Sequence, residues 1–150
     1  MAIRLLRILS PRFWRAAFKS SPALLKALKA YRERDDKVAL ASFEEALRWM
    51  PDASADHMAF YATLLILNHR SADAARIFEQ IIAGQFRPLR SSRGSQYPTL
   101  YSRYYLALIN RSQDVERCWR RAKELQPESG FGARYLGLPD IAVVPEQPDY

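Results

Sequence analysis

Cysteine, histidine and long apolar runs are scarce in this chain of 150 residues, and each scarcity excludes a class of protein. The one cysteine, Cys118, cannot form an internal disulfide, so nothing favours a secreted, oxidised protein. The two histidines, His57 and His69, are too few for a metal centre, and we expect no metal and no cofactor. No apolar stretch approaches the roughly 20 residues that a membrane-spanning helix requires.

Catalytic patterns are missing as well. The sequence has no glycine-rich loop that could hold phosphates, and neither histidine has a nucleophile at a recognisable spacing. We therefore predict a protein that is not an enzyme. The apolar content of 49% is typical of a folded chain, and the length corresponds to one domain.

Acidic residues are almost absent from two long blocks. Residues 1–34 hold nine Lys and Arg against the single acid Glu33, and residues 84–123 hold nine against two. The stretch between them, residues 35–83, is acidic, with four basic residues against eight acids. The net charge of +7 favours an anionic partner, because charge bears on association more than on fold.

Helix start and stop signals divide the chain into segments. Ser10-Pro11 and Ser21-Pro22 each put a capping hydroxyl before a proline at the first helical position, which predicts helices over 2–9, 11–19 and 22–34. Asp35-Asp36 predicts the cap of a helix over 37–49, which ends before Pro51.

Two further helical hairpins follow. The first spans 55–83, with Ser71 as the cap of its second helix, and the other spans 98–126, with Ser112 in that role. Between them, residues 84–97 contain two glycines and Pro88, with Pro98 directly after them, and are predicted to form a loop. After Pro127, glycines and prolines exclude a helix, so residues 128–150 are predicted to be extended or disordered.

A pattern of small and aromatic residues recurs in the second helix of each hairpin. It reads Ala39, Phe43, Ala46, Leu47 and Pro51 in the first, Ala74, Phe78 and Ile81 in the second, and Val115, Trp119, Ala122 and Pro127 in the third. Phe43 and Phe78 are 35 residues apart. These residues resemble the tetratricopeptide repeat family, whose unit is a pair of antiparallel helices over about 34 residues.

The resemblance covers about residues 20–127 and departs from the family in two respects. The usual tryptophan of the first helix is absent, and the Gly-Asp turn is replaced by Arg34-Asp35, His69-Arg70 and Asn110-Arg111. The fold implied is all-α: an α-solenoid of about three antiparallel helical hairpins (about 22–49, 55–83 and 98–126) within a domain 21–127. Short amphipathic N-terminal helices (1–20) precede it and an extended C-terminal tail (128–150) follows it.

Three interpretations of residues 1–20 stay open. This segment is rich in basic and apolar side chains, which suits docking to an anionic membrane or to a larger complex. It could instead be a helix that caps the repeats, or a mitochondrial targeting segment, which is also Arg-rich and free of acids. The docking residues would be Arg4, Arg7, Arg12, Trp14, Arg15 and Lys19.

Tyrosines and arginines are interspersed from the end of the loop onwards. Tyr97, Tyr101, Tyr104 and Tyr105, together with neighbouring arginines such as Arg103 and Arg111, could stack on bases and neutralise phosphates. However, the spacing of Tyr101, Tyr104, Tyr105 and Leu108 is that of the packing face of a helix, which is the interpretation we favour. The loop arginines Arg87, Arg90 and Arg93 are expected to contact an acidic partner, or else to belong to a solvated connector.

The resemblance implies a scaffold or assembly adaptor that binds a peptide segment or a partner subunit in a groove formed by the first helix of each pair. The residues expected to face that groove are Tyr31, Arg32, Thr63, Leu67 and Tyr104. The alternative is an RNA-binding helical-repeat protein that uses the two basic blocks. We expect a cytoplasmic location, either free or peripheral to a membrane; the alternative is mitochondrial import.

Overall fold

The computed structural model describes residues 11–86 and 97–125. For residues 11–20 and for Tyr97 it describes the helical backbone and not the side chains. Every regular element in these two segments is an α-helix, which confirms the all-α class. The helices are α1 (Pro11–Arg32), α2 (Asp36–Arg48), α3 (Ala55–Leu67), α4 (Ser71–Ile82), α5 (Tyr97–Asn110) and α6 (Val115–Leu125). The predicted helix 2–9, most of the predicted loop and the tail 128–150 lie outside the described residues.

The helices form two compact units, with the boundary between Asp52 and Ala53. In the first unit α1 packs against α2. In the second, α4 packs against both α3 and α5, while α3 also contacts α5 and α6, and α5 contacts α6. Neighbouring helices therefore pack on one another within each unit.

Helix α1 contains Pro22, and here the sequence prediction is wrong. We expected a helix to end at residue 19 and another to begin at Ser21-Pro22, but one helix of 22 residues runs through this point. A proline inside a helix leaves one carbonyl without its donor and usually bends the helix. Ser21 and Pro22 are both exposed, so the proline lies at a solvent-facing position of the helix. Residue 20, which we took as the end of the N-terminal segment, thus lies inside a helix.

The recurring small and aromatic residues form the buried side of α2, α4 and α6. Phe43 and Phe78 are completely buried, and Trp119 is almost so. Four residues before and three after each aromatic, the side chains are small or aliphatic and buried: Ala39 and Ala46, Ala74 and Ile81, Val115 and Ala122. Because these positions share one helix face, small residues there allow a neighbouring helix to approach while the aromatic fills the remaining space.

Helices α1, α3 and α5, each the first helix of a predicted hairpin, end in the same way. Arg34, His69 and Ser112 all have positive φ, at 60°, 60° and 54°. The N–H of each donates to the carbonyl three residues earlier, and the following N–H donates to the carbonyl five residues earlier, over 2.8–3.1 Å. This is the Schellman ending of a helix, which satisfies carbonyls that would otherwise lack donors. Gly84, with φ of 74°, ends α4 with the same two bonds.

The N-terminal caps agree with the sequence in one case and differ in two. Asp35 caps α2 as predicted, because its carboxylate accepts from the Val38 N–H at 3.2 Å. Ser71 is the first helical residue of α4, and the cap position belongs to Arg70, which makes no side-chain capping bond. Before α6 the capping carboxylate is that of Asp114, which accepts from the Arg117 N–H at 3.1 Å. Ser112 instead takes the left-handed position of the preceding helix end.

Candidate interaction surface

Three helices of the second unit are joined by a buried chain of hydrogen bonds. Trp119 Nε1–H on α6 donates to the Tyr101 hydroxyl on α5 at 2.9 Å. The Tyr101 hydroxyl lies 2.7 Å from Thr63 Oγ1 on α3, and that hydroxyl donates to the Ala59 carbonyl at 3.0 Å. Since Thr63 has one hydroxyl proton, which the Ala59 carbonyl receives, Tyr101 must be the donor to Thr63. Each polar group of the chain therefore has a partner, as burial requires.

Aromatic rings surround this chain. Tyr101 and Tyr105 are completely buried and their ring centroids are 4.5 Å apart. Phe78 of α4 contacts both, at 6.1 and 6.4 Å, within the range of favourable aromatic pairs. With Leu108 also buried, the prediction that the tyrosines form a packing face is confirmed for Tyr101 and Tyr105. Neither ring has an exposed surface on which a nucleic-acid base could stack.

The opposite side of α5 is exposed and carries a stripe of apolar and cationic side chains. Leu100 is 51% exposed, Arg103 and Ala107 are exposed, and Tyr104 is half-buried with its ring against that of Tyr105 at 5.1 Å. Their positions, with Arg111 one turn beyond, follow the i, i+3, i+4, i+7 and i+11 spacing of one helix face. We call these five residues the α5 stripe. No acidic residue occurs in α5.

Tyr104 lies beside Cys118 of α6 at one edge of the stripe. Burial raises the pKa of the Tyr104 phenol to about 12, and the negative charge of a nearby Cys118 thiolate adds to this. The pKa of Cys118 is raised by burial and by Asp114, and Arg117 and Arg121 oppose the shift. The thiol is half-buried rather than enclosed, and its raised pKa disfavours the reactive thiolate.

Helix α6 presents a side of mixed charge. A depression of about 590 Å³ is lined by three basic and three acidic residues: Asp114, Glu116, Arg117, Arg120, Arg121 and Glu124. Arg120 donates to Glu116 Oε1 from Nε at 3.0 Å and from Nη2 at 2.9 Å, and Glu116 Oε2 lies 3.2 Å from His69 Nδ1. These contacts link α6 to the turn between α3 and α4, and they reduce the charge that this side offers to a partner.

Ser54 and His57 come close together but do not resemble a catalytic pair. Ser54 Oγ is 2.7 Å from His57 Nδ1 and accepts from the His57 N–H at 3.3 Å. Ser54 is 1% exposed and is the N-cap of α3. A substrate could not reach its hydroxyl, so the contact serves the helix end.

The residues expected to face a groove differ in their exposure to solvent. Thr63 has no exposed surface, and its hydroxyl is part of the buried chain of hydrogen bonds. Leu67 and Tyr31 are buried as well. These three side chains offer little or no surface to a partner in this structure, and their expected contacts stay predictions. Arg32 is exposed at the end of α1, and Tyr104 is half-buried on the α5 stripe.

The remaining site predictions fall where the structure gives no side chain. The loop arginines Arg87, Arg90 and Arg93 and the N-terminal Arg4 and Arg7 lie outside the described residues. The other docking residues lie in α1, but their side chains lie outside the description: Arg12, Trp14, Arg15 and Lys19. Their proposed contacts stay predictions.

Leu100, Arg103 and Ala107 were not among the predicted partner-binding residues. The signal was present in the sequence, because residues three, four and seven apart share a face whether that face is buried or exposed. The tyrosine spacing identified the packing face of α5, and the complementary residues on the other face follow from it. A single exposed leucine beside an arginine is common on protein surfaces. These residues become informative only when the whole exposed face is considered.

Within the two described segments, none of the helices combines the length and the apolar run needed to cross a bilayer. The same segments contain no cluster of three or more His, Cys, Asp or Glu side chains that could bind a metal ion. Comparisons with protein-family models, curated proteins and solved structures found no match to this chain.

Proposed function

We propose that this protein is a helical-repeat interaction scaffold of the tetratricopeptide type, which binds a peptide segment or a partner subunit and catalyses no reaction. The observation that carries the proposal is the repetition of one local design. The same buried triple, an aromatic residue between two small or aliphatic ones, lies on α2, α4 and α6. Helices α1, α3 and α5 end with the same left-handed residue and the same two hydrogen bonds.

Repetition of this kind supports binding because of how repeat proteins use their surfaces. Each repeat buries the side chains of its recurring pattern against the neighbouring repeats. Its outward residues can therefore differ from one repeat to the next. An extended protein segment can then contact several helices along the array. In this proposal the three helix pairs form an antiparallel solenoid, and the partner contacts side chains that the packing leaves exposed, such as those of α5.

A peptide library tests this function directly. Immobilised full-length protein is exposed to random peptides of about twelve residues displayed on phage, and enriched sequences are resynthesised and measured by fluorescence anisotropy. A scaffold of this type should enrich related sequences that bind with micromolar or tighter affinity. Recovery of unrelated sequences only, none of which binds once resynthesised, would contradict the proposal.

The basic N-terminal segment is proposed to dock the scaffold on an anionic membrane surface or on a larger complex. Each cation near such a membrane contributes about 1 kcal/mol, so several basic residues together give measurable binding. Sedimentation of the full chain with vesicles of phosphatidylserine and phosphatidylcholine, against phosphatidylcholine alone, measures it. Docking to a membrane predicts sedimentation with the anionic vesicles only, and equal recovery with both would exclude it.

A further inference from the structure

We propose that α1 binds an anionic membrane surface through its outward face, from which Leu25 inserts between the lipid headgroups; this rests on the docking proposed above, commits it to a membrane and extends it from residues 1–20 to the C-terminal half of α1. The face is formed by side chains that the structure shows to be exposed. We call them the α1 outer face: Ser21, Pro22, Leu25, Lys26, Lys29 and Arg32.

The packing of α1 against α2 decides which side of α1 faces outward. Ala27, Ala30 and Tyr31 are buried, and α2 is the helix against which α1 packs. Leu25 lies two positions before Ala27, which is about 200° around a helix, and its side chain is 67% exposed. Burial of this leucine would be favourable, but α2 covers the other side of the helix. The apolar surface of Leu25 is therefore available to a partner.

The charge of α1 is of one sign. Its 22 residues include six basic and no acidic side chains. Lys26 and Arg32 are exposed and form no ion pair with any residue that the structure describes. The acids that follow the helix are engaged locally, because Glu33 lies 3.9 Å from Lys29 and Asp35 caps α2. An anionic surface therefore gains attraction from Lys26 and Arg32 without disrupting an existing pair.

The continuity of α1 through Pro22 extends this face towards the N-terminus. Trp14 and Phe18 are eleven and seven positions before Leu25, so an uninterrupted helix places these three positions in one line. A break before Ser21, which the sequence predicted, would have removed this alignment. A basic residue follows each member of the line, which gives a second, parallel line: Arg15, Lys19 and Lys26. Adjacent apolar and basic lines are typical of helices that lie in the plane of a membrane interface.

The apolar line distinguishes a lipid surface from a nucleic acid. A sugar–phosphate backbone would be attracted to Lys26 and Arg32, but it would gain little from Leu25. The line extends over positions 14–25, which is about 17 Å along the helix. A bilayer offers anionic headgroups with acyl chains directly beneath them along this whole length, so one surface can bind the cations and the apolar residues together.

Sedimentation of the full-length protein with vesicles of phosphatidylserine and phosphatidylcholine tests the face. Leu25→Gln, Lys26→Gln and Arg32→Gln should each weaken binding about threefold to fivefold, in line with one apolar contact or one cation at an anionic interface. Two matched controls remove the same groups from exposed positions on other helices: Lys37→Gln on α2 and Leu100→Gln on α5. Each control should change binding by less than about twofold, because salt screens charges that lie away from the surface.

A fluorescent label at position 25 tests insertion. In a Cys118→Ser background, Leu25→Cys is labelled with the environment-sensitive dye NBD, and Ala41→Cys, at an exposed position of α2, is the control. The emission of the label at position 25 should shift to shorter wavelength with the anionic vesicles and should be quenched by lipids that carry a nitroxide on the acyl chain. The label at position 41 should show neither effect. Circular dichroism of every variant confirms that the helices are retained.

Three results would overturn the assignment of this face. One is equal sedimentation of Leu25→Gln and the unchanged protein, and another is an unshifted label at position 25 while the protein sediments; in both cases the docking depends on the preceding residues alone. A third is an equal loss of binding in Lys26→Gln and Lys37→Gln, which would show that net charge alone acts.

Failure of the docking itself gives a different result, because the unchanged protein would then not sediment with the anionic vesicles. Single-stranded oligouridylate is the probe for the other partner. Its binding by a protein that does not sediment, weakened by Arg32→Gln and unaffected by Leu25→Gln, would assign the face to a nucleic acid and overturn the membrane. The peptide library decides the scaffold function independently of all these measurements.

Discussion

The indole N–H of Trp119 donates to the phenol oxygen of Tyr101 across 2.9 Å, and both side chains are buried. This bond joins α6 to α5, and the next bond along the chain, from Tyr101 to Thr63, continues the connection to α3. A polar chain in the centre of a helical unit restricts how the helices can pack, since a shift of one helix would leave buried donors without acceptors.

Tyr101→Phe tests the contribution of this chain. The substitution removes the oxygen that accepts from Trp119 and leaves its indole N–H buried without that acceptor. We expect a loss of about 1–3 kcal/mol in the free energy of unfolding, measured by urea denaturation with circular dichroism. Trp119→Phe combined with Tyr101→Phe completes a double-mutant cycle, in which the two losses should not add. Additive losses would show that the bond is energetically unimportant.

Alkaline pH should destabilise the second unit through its tyrosines. The pKa of Tyr104 is raised from the ordinary value of 10.0 to about 12, first by burial, and burial also raises the pKa of Tyr101. A phenol releases its proton more readily in the unfolded chain than in the folded protein. The contribution of the two phenols to the free energy of unfolding is therefore complete below about pH 10, and it decreases as the pH rises towards their pKa in the folded state.

The urea midpoint should therefore fall between about pH 10 and pH 12, and it should fall less in the Tyr101→Phe variant, which has no phenol at that position. Absorbance at 295 nm follows tyrosine ionisation in parallel. The prediction fails if the two proteins show the same dependence on pH in this range.

Ala46→Leu should overpack the contact between α1 and α2. Ala46 is completely buried, and a leucine there has no space, so we expect a loss of about 1–3 kcal/mol. Ala41→Leu is the matched control, because Ala41 is exposed on the same helix; its effect should stay within about 0.5 kcal/mol. Equal melting temperatures of the two variants would contradict the assignment of the packed face.

Arg34→Gly should stabilise the protein, although glycine normally weakens a helix. Arg34 has φ of 60°, a conformation that costs a residue with a Cβ about 1–2 kcal/mol and glycine almost nothing. After the greater entropy of the unfolded glycine is subtracted, a gain of about 0.5–1 kcal/mol remains.

Two control variants are measured in the same denaturation assay. Gly84→Ala should cost about 1 kcal/mol for the reverse reason; its effect is purely conformational, since an added Cβ meets no atom within 4 Å. Ala41→Gly, in the helical part of α2, should destabilise by about 1 kcal/mol. A destabilising Arg34→Gly would show that the arginine side chain makes a contribution larger than the backbone strain.

The sequence by itself determined the helical class, most of the helix ends and the packing positions. Apolar residues three and four apart specify a buried face wherever the helix is placed, so Phe43, Phe78 and Trp119 could be recognised as core residues without a structure. The Ser21-Pro22 start was predicted wrongly, because a proline fits both the first turn and an exposed interior position, and the sequence signal is the same for both.

The tertiary structure decided which of two equivalent faces is covered and which buried polar groups meet. Thr63 and Tyr101 are 38 residues apart, and their hydrogen bond depends on the packing of α3 against α5, which no local pattern specifies. The same packing enclosed Thr63, which the family resemblance had assigned to a partner, and left Leu100 and Arg103 exposed. Periodicity gives the angle between side chains on one helix, but only the neighbouring helices determine which angle faces water.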